Sequence, residues 1–218
     1  MRRPTRSKWE GWTGKIRSLD VGENLRVVPY WERGLQETRR HELLIDPGPS
    51  FGAGDHPTTI MALELLERAV AEALARTASP SMLDVGTGTG VLAIAGKALG
   101  TGFTVGLDID GAAIFTARQN LRLNGLAPGA AETPSIHLFI GGVEAVGGKF
   151  ALVAANLAAP TLLRVLRPLR NCVAGFLVLS GIADAMVEEV LSAYQSAGLV
   201  LRSRLQRDGW NAALFDAK

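Results

Sequence analysis

Residues 82–110 read MLDVGTGTGVLAIAGKALGTGFTVGLDID, and this stretch decides the fold of the chain. A short apolar run surrounds Asp84, a loop supplies three glycines, a helical apolar pattern follows, and a second apolar run ends at Asp108. Strand, glycine turn, helix, strand and acid, in that order, are typical of one half of a nucleotide-binding α/β unit. Glycine suits the turn because a side chain would hold a ligand away from the backbone.

The spacing of the glycines distinguishes two kinds of nucleotide site. A dinucleotide site uses G-x-G-x-x-G. Here the pattern is D-x-G-x-G-x-G, with the glycines at Gly86, Gly88 and Gly90, and Val91 stands where the third dinucleotide glycine would fall. This pattern resembles motif I of the class I S-adenosylmethionine-dependent methyltransferases, and a glycine turn without any ligand is the alternative.

The motif I resemblance implies S-adenosylmethionine as the cofactor, with Asp84 and the three glycines around its methionine part. It also implies that Asp108 holds the ribose. Asp108 follows Gly86 at close to the spacing of about 20 residues at which an acid meets ribose hydroxyls.

The composition is that of an ordinary globular protein. The chain has 218 residues, 47% of them hydrophobic and 20% charged, and a formal net charge of +2. These values fit one sizeable domain and carry no strong signal for nucleic-acid binding. A single cysteine excludes an internal disulfide, and three widely spaced histidines argue against a metal site. Since no apolar stretch reaches the roughly 18 residues of a membrane span, we expect no membrane insertion and a cytoplasmic location.

A second glycine loop occupies residues 51–59, which read FGAGDHPTT. It runs into a helical pattern, where Asp55 or His56 is a candidate cap and Pro57 suits the first helical position. Residue chemistry alone leaves two interpretations of equal weight: an ordinary loop with a helix cap, or part of a ligand site.

Four motifs together resemble the PrmA family, which methylates protein eleven of the large ribosomal subunit. They are F-G-x-G-x-H-P-T-T at 51–59, L-D-I-D-x-x-A at 107–113, A-N-L-A at 155–158 and L-S-G-I at 179–182. The resemblance covers residues 22–215 and implies that Thr59 contacts the cofactor, while Phe51 either stacks on the adenine or packs beneath the loop. We expect the family's amino-terminal recognition domain to be absent, which leaves an arm and linker-like segment, 1–45, and a methyltransferase domain, 46–218.

Apolar periodicity predicts alternating helices and strands. Helices are expected at 91–99, 111–124, 160–169 and 183–197, and strands at 25–31, 136–140, 150–155, 174–179, 199–205 and 210–215. A polar loop over 32–42 follows the first strand, and Asp208-Gly209 joins the last two strands as a hairpin. The pattern is that of a doubly wound, mostly parallel α/β sheet ending in an antiparallel hairpin. The class I methyltransferase resemblance implies seven strands in that Rossmann-like sheet.

Asn156 follows a predicted strand at the edge where open α/β sheets bind ligands. Amino-group methyltransferases carry N-P-P-Y there, and this chain has N-L-A-A at 156–159, the variant of the PrmA family. The resemblance implies that Asn156 is the catalytic residue beside the cofactor, where its side-chain oxygen and a main-chain carbonyl accept hydrogens from an amine. The aromatic residue that stacks a flipped base is missing, which favours an amine over a nucleobase. The alternative is a structural asparagine that caps the next helix.

The leading hypothesis is an S-adenosylmethionine-dependent N-methyltransferase that acts on a protein amine, a lysine of a ribosomal protein or of another protein. Two alternatives are a non-catalytic module of the same fold and an enzyme that methylates a small amine. An NAD-dependent oxidoreductase is disfavoured by Val91. No general base is assigned, since His56, Asp55 and water are all able to accept the lysine proton.

Overall fold

Two sheets and six helices make up the computed structural model over the residues that it describes, 17–35, 38–47, 54–126 and 136–217. The strands are β1 (Leu19–Val21), β2 (Leu25–Pro29), β3 (His41–Ile45), β4 (Met82–Val85), β5 (Thr104–Asp108), β6 (Ile136–Ile140), β7 (Phe150–Asn156), β8 (Val173–Ala183), β9 (Val200–Arg207) and β10 (Trp210–Asp216). The helices are α1 (Pro57–Arg76), α2 (Val91–Ala98), α3 (Gly111–Leu123), α4 (Ala159–Arg164), α5 (Leu166–Asn171) and α6 (Val187–Ser196).

The larger sheet has seven strands in the order β6-β5-β4-β7-β8-β10-β9. β10 runs antiparallel to both of its neighbours, and the other pairs are parallel. The predicted doubly wound sheet with a terminal antiparallel hairpin is therefore confirmed. Chain order reverses at β4, because β5 lies on one side of it and β7 on the other, and ligands bind at the carboxyl ends of strands near such a point.

Apolar layers cover both faces of the larger sheet. Helices α1, α2 and α3 share one core with Leu152 and Ala154, and helices α4, α5 and α6 share the other with Val153 and Ala155. β7 is therefore apolar on both faces, as expected for a central strand of a parallel sheet. Within the described ranges, no helix is both long and apolar enough to cross a membrane.

A smaller sheet of β1, β2 and β3 lies against the first helices. β2 pairs antiparallel with β1 and parallel with β3, and Leu25, Leu43 and Ile45 are buried in the same core as α1. The sequence pattern had indicated β2 alone. The predicted end of the following loop, at residue 42, is wrong, because β3 already pairs with β2 at His41. The division of the chain between residues 45 and 46 stays a prediction.

Two predicted helices differ from those observed. The helix expected from residue 183 begins at Val187, because β8 continues to Ala183, where it pairs with Trp210 of β10. The helix expected over 160–169 is divided into α4 and α5. Pro168 accounts for this break, since proline has no N–H to donate to the carbonyl oxygen four residues earlier.

Candidate active site

The carboxyl ends of β4, β5 and β7 open into a cleft of about 980 Å³. Because chain order reverses at β4, this is the edge at which open α/β sheets bind ligands. Five predicted site residues line the cleft together, namely Thr59, Gly86, Gly88, Asp108 and Asn156. Asp84 and Gly90 are not among its lining residues, and Phe51 lies outside the described part of the chain.

The turn between β4 and α2 requires glycine for two reasons. Gly86, Gly88 and Gly90 have φ angles of 72°, 54° and 83°, in the left-handed region that other residues adopt only under strain. In addition, a Cβ at Gly86 would overlap the side chain of Leu157, which also lines the cleft. The turn therefore brings its backbone, free of side chains at these points, to the cleft.

Asp84 supports this turn from the interior of the protein. It is fully buried, and its Oδ2 accepts hydrogen bonds from Thr87 Oγ1 at 2.7 Å and from the backbone N–H of Ala93 at 3.2 Å. Burial raises the pKa of Asp84 to about 6, and these two hydrogen bonds oppose the rise. The carboxyl group thus connects the glycine turn with the first turn of α2.

Asp108 is the last residue of β5 and lines the cleft, and both of its carboxylate oxygens accept backbone hydrogen bonds. Its Oδ2 accepts from the backbone N–H of Gly88 and its Oδ1 from that of Asp110, both at 3.0 Å. Each carboxylate oxygen has a second lone pair, so the group is fixed in place and can still accept hydrogen bonds from ligand hydroxyls. The next residue, Ile109, is 80% exposed and lines the same cleft, which adds an apolar surface beside the carboxylate.

Asn156, at the end of β7, has an unused acceptor. Its Nδ2 donates to Thr59 Oγ1 at 3.4 Å, whereas its buried Oδ1 has no partner among the described residues. A Cβ at Gly181 would overlap the carbonyl oxygen of Leu157 and lie 3.2 Å from Asn156 Oδ1. Both acceptor oxygens therefore lie against Gly181, and all three residues line the cleft. A buried acceptor without a partner costs about 1–3 kcal/mol, which favours a ligand that donates a hydrogen bond there.

Comparison with known proteins identifies the family. The family model for ribosomal protein L11 methyltransferase (PrmA) matches residues 5–218. The chain belongs to the PrmA family. Relatives named ribosomal protein L11 methyltransferase from Geobacter metallireducens and Citrifermentans bemidjiense are 35% identical over 209 residues and 40% identical over 192 residues. The alignments cover 95% and 87% of this chain but 65% and 60% of those relatives, so the chain spans less than two thirds of their length.

Solved structures agree with this membership of the PrmA family. The ribosomal protein L11 methylase from Lactobacillus delbrueckii subsp. bulgaricus has a TM-score of 0.78 and 26% identity, over 92% of this chain and 97% of that chain. The magnesium protoporphyrin IX methyltransferase from Synechocystis PCC 6803, solved with bound SAM, has a TM-score of 0.54 and 16% identity, over 86% of this chain and 88% of that chain. The second likeness is one of fold. The predicted class I methyltransferase fold and the PrmA resemblance are both confirmed.

In this PrmA-family chain His56 caps α1, which settles the choice between it and Asp55. Its Nδ1 accepts from the backbone N–H of Thr58 at 3.3 Å and lies 2.8 Å from Thr58 Oγ1. The ring meets Trp210 edge-on, with centroids 5.4 Å apart, and both side chains line the cleft. His56 therefore has a structural role at the start of α1.

Several cleft residues had not been expected from the sequence, among them Arg164, Gly181 and Trp210. Gly181 lies in the L-S-G-I motif, and its place after an apolar run was a usable signal for a close backbone approach. Trp210 offered no local signal, because the β8–β10 pairing that brings it to His56 joins distant parts of the chain.

The site fits a small ligand with hydroxyl and amine donors. The turn supplies backbone without side chains, Asp108 supplies a held carboxylate, and Asn156 Oδ1 supplies an unpartnered acceptor. Among the described residues, no group of three or more His, Cys, Asp or Glu side chains is arranged to hold a metal ion. The two alternatives for Phe51 stay open, since that residue is not described.

Proposed function

We propose that this chain is an S-adenosylmethionine-dependent N-methyltransferase whose acceptor is a lysine side chain of a protein. The observation that carries the proposal is the pair of acceptors, Asn156 Oδ1 and the Leu157 carbonyl oxygen, in the cleft beside the glycine turn. Membership of the PrmA family and the names of the relatives support a protein substrate. When bound, the cofactor supplies an electrophilic methyl group on a sulfonium.

The cofactor is assigned to the end of the cleft formed by β4 and β5. Gly86 and Gly88 of the turn would lie against its methionine part, and Asp108 would accept hydrogens from its ribose hydroxyls. Asp84 acts through the turn that it supports. Thr59 is a cofactor contact that also supports Asn156, since it accepts the hydrogen bond from Asn156 Nδ2 at 3.4 Å.

The acceptor pair can orient a neutral amine. A lysine amine in its neutral form has two hydrogens and one lone pair. If Asn156 Oδ1 and the Leu157 carbonyl oxygen accept the two hydrogens, the direction of the lone pair is fixed. In-line displacement requires that lone pair to be aligned with the bond that breaks, and such alignment accounts for a large part of the rate of a positioned reaction.

The same pair also suits deprotonation of the amine. A lysine has an ordinary pKa of about 10.4, and removal from water lowers that pKa. Asn156 and Leu157 present neutral oxygens, which bind the amine without the negative charge that would stabilise the ammonium form. The rings of His56 and Trp210 line the cleft as well and offer apolar surface to the methylene chain.

The identity of the acceptor protein is the less constrained part of the proposal. Because the chain matches 65% or less of its relatives' length in the two alignments above, either ribosomal protein L11 or another lysine-bearing protein is a candidate. A small amine fits the same pair of acceptors. A non-catalytic module of this fold is disfavoured, since the glycine turn, Asp108 and Asn156 all lie at one cleft.

Transfer of labelled methyl groups tests the proposal. The purified chain is incubated with tritium-labelled S-adenosylmethionine and either ribosomal protein L11 or a cell lysate. The wild type is expected to label protein, and Asn156→Ala is expected to lose about 100-fold or more in rate because the amine is no longer oriented. Asn171→Ala, which changes an exposed asparagine in α5, is the matched control.

Cofactor affinity separates the outcomes of this experiment. We expect Asn156→Ala to bind S-adenosylmethionine within about threefold of the wild type, since a residue that only orients the acceptor changes the rate and not the cofactor affinity. Wild-type turnover by Asn156→Ala would show that this asparagine is structural. Cofactor binding without transfer to any protein or small molecule would favour the non-catalytic module.

A further inference from the structure

Asn120 is a buried polar residue of α3 whose side chain is fully used. It is 0% exposed, its Oδ1 accepts from the backbone N–H of Asp46 at 2.8 Å, and its Nδ2 donates to the carbonyl oxygens of Asp46 at 3.1 Å and Thr89 at 2.9 Å. Both amide hydrogens and the amide oxygen therefore have partners. These partners lie in two segments that are distant along the chain.

Asn124, one helical turn later, makes the corresponding contacts with β3. Its Oδ1 accepts from the N–H of Leu44 at 2.9 Å, and its Nδ2 donates to the Leu44 carbonyl oxygen at 2.8 Å. Leu44 and Asp46 are alternate residues, so they present their backbone groups to the same side of the strand. The two asparagine side chains thus form hydrogen bonds with backbone groups along β3 and the residue after it, at the edge of the smaller sheet, where a neighbouring strand would otherwise bond.

Only Asn120 also reaches the glycine turn. Thr89 lies between Gly88 and Gly90, and the N–H of Gly88 donates to Asp108 Oδ2 at 3.0 Å. A single amide group therefore connects the end of the smaller sheet with the turn whose backbone holds the Asp108 carboxylate. Within the described part of the chain, the Asn124 side chain makes no hydrogen bond to this turn and bonds, besides Leu44, to the Asn120 carbonyl oxygen at 2.8 Å.

The smaller sheet meets the site segment at a second point. Gly54 has a φ of 98°, and a Cβ there would overlap the Val27 side chain of β2. Two residues later His56 caps α1, and Thr59 contacts Asn156. The sheet is thus in contact with the chain on both sides of the cleft, through Asn120 on α3 and through Gly54.

We infer that Asn120 is a positioning residue for cofactor binding, which holds the glycine turn and the smaller sheet in one arrangement. The smaller sheet, residues 19–45, then contributes to cofactor affinity although it does not line the cleft. This inference rests on the proposed cofactor site. It predicts that loss of the Asn120 link between Asp46 and Thr89 loosens the turn and weakens binding, whereas loss of the Asn124 bonds to Leu44, which do not extend to the turn, does not.

Paired variants test this inference. Asn120→Ala removes a side-chain amide from α3 and Asn124→Ala removes the same group from the residue that directly follows α3, and both are expected to lower thermal stability. The dissociation constant of S-adenosylhomocysteine, measured by isothermal titration calorimetry, is expected to rise about five- to tenfold in Asn120→Ala, the factor that one ordinary hydrogen bond is worth, and to stay near the wild-type value in Asn124→Ala. Asn120→Asp keeps the acceptor for Asp46 and loses the donor to Thr89, so it should weaken binding similarly.

The results of these measurements separate failure of the Asn120 inference from failure of the proposed function. Equal dissociation constants in Asn120→Ala, Asn124→Ala and the wild type would overturn the inference and leave the proposed function intact. Loss of folding in both Asn120 variants while Asn124→Ala folds would show a purely structural role and overturn it as well. If the wild type itself bound neither S-adenosylmethionine nor S-adenosylhomocysteine, the proposed function would fail first, and this inference with it.

Discussion

Replacing Asp84 with asparagine tests how far ionisation of the buried carboxyl group behind the glycine turn lowers the free energy of unfolding. Its ordinary pKa of 3.8 rises to about 6 in the folded protein. At a pH between these two pKa values, Asp84 is protonated in the native state and ionised in the unfolded chain. Because the native state then binds more protons, the free energy of unfolding falls as pH rises through this window. The pKa difference of about 2 corresponds to about 3 kcal/mol at 1.36 kcal/mol per pKa unit.

Asparagine keeps the shape of the side chain and an oxygen that can accept from Thr87 and Ala93, but it does not ionise. Urea unfolding of the wild type and Asp84→Asn is measured at several pH values between about 4 and 8. The stability of Asp84→Asn relative to the wild type is expected to increase by about 2–3 kcal/mol across this range, because only the wild type is penalised at high pH. A difference that is independent of pH, or that decreases as pH rises, would refute this reasoning.

Three further predictions concern the cleft itself. Asp108→Ala should raise the dissociation constant of S-adenosylmethionine at least about tenfold, because a charged hydrogen-bond partner of the ribose is lost; an unchanged constant in calorimetry would contradict the ribose assignment. Gly181→Ala should abolish methyl transfer, since its Cβ overlaps the Leu157 carbonyl oxygen and its φ of 83° disfavours alanine. Wild-type turnover would place the amine elsewhere. Fluorescence titration should detect binding of S-adenosylmethionine but not of NADH, and the reverse result would restore the oxidoreductase alternative.

The main elements of the larger sheet could be predicted because their signals are local. The glycines at 86, 88 and 90 lie directly between β4 and α2, and that helix shows its own apolar period before the next strand begins. The same locality allowed His56 to be proposed as a cap, although the choice between His56 and Asp55 needed the structure. The family motifs then added Asn156 to the candidate site.

Features that depend on distant pairing were not predictable in this way. β1 is three residues long, and β3 is recognisable as a strand only through its pairing with β2. The extension of β8 to Ala183 depends on a partner in β10. Asn120 looks like an ordinary polar position of a helix until β3 and the glycine turn are placed beside it. Each of these contacts joins segments whose separate sequences carry no sign of the other.

Mass spectrometric identification of the methylated residue tests the proposed chemistry most directly. The wild-type chain and Asn156→Ala are incubated with S-adenosylmethionine and a lysate of the source cells, and the products are digested and sequenced. We expect methyl groups on a lysine side-chain amine of a protein in the wild-type reaction and none above background with Asn156→Ala. A wild-type chain that binds the cofactor and methylates no protein amine, or that methylates nucleic acid instead, would contradict the proposed function.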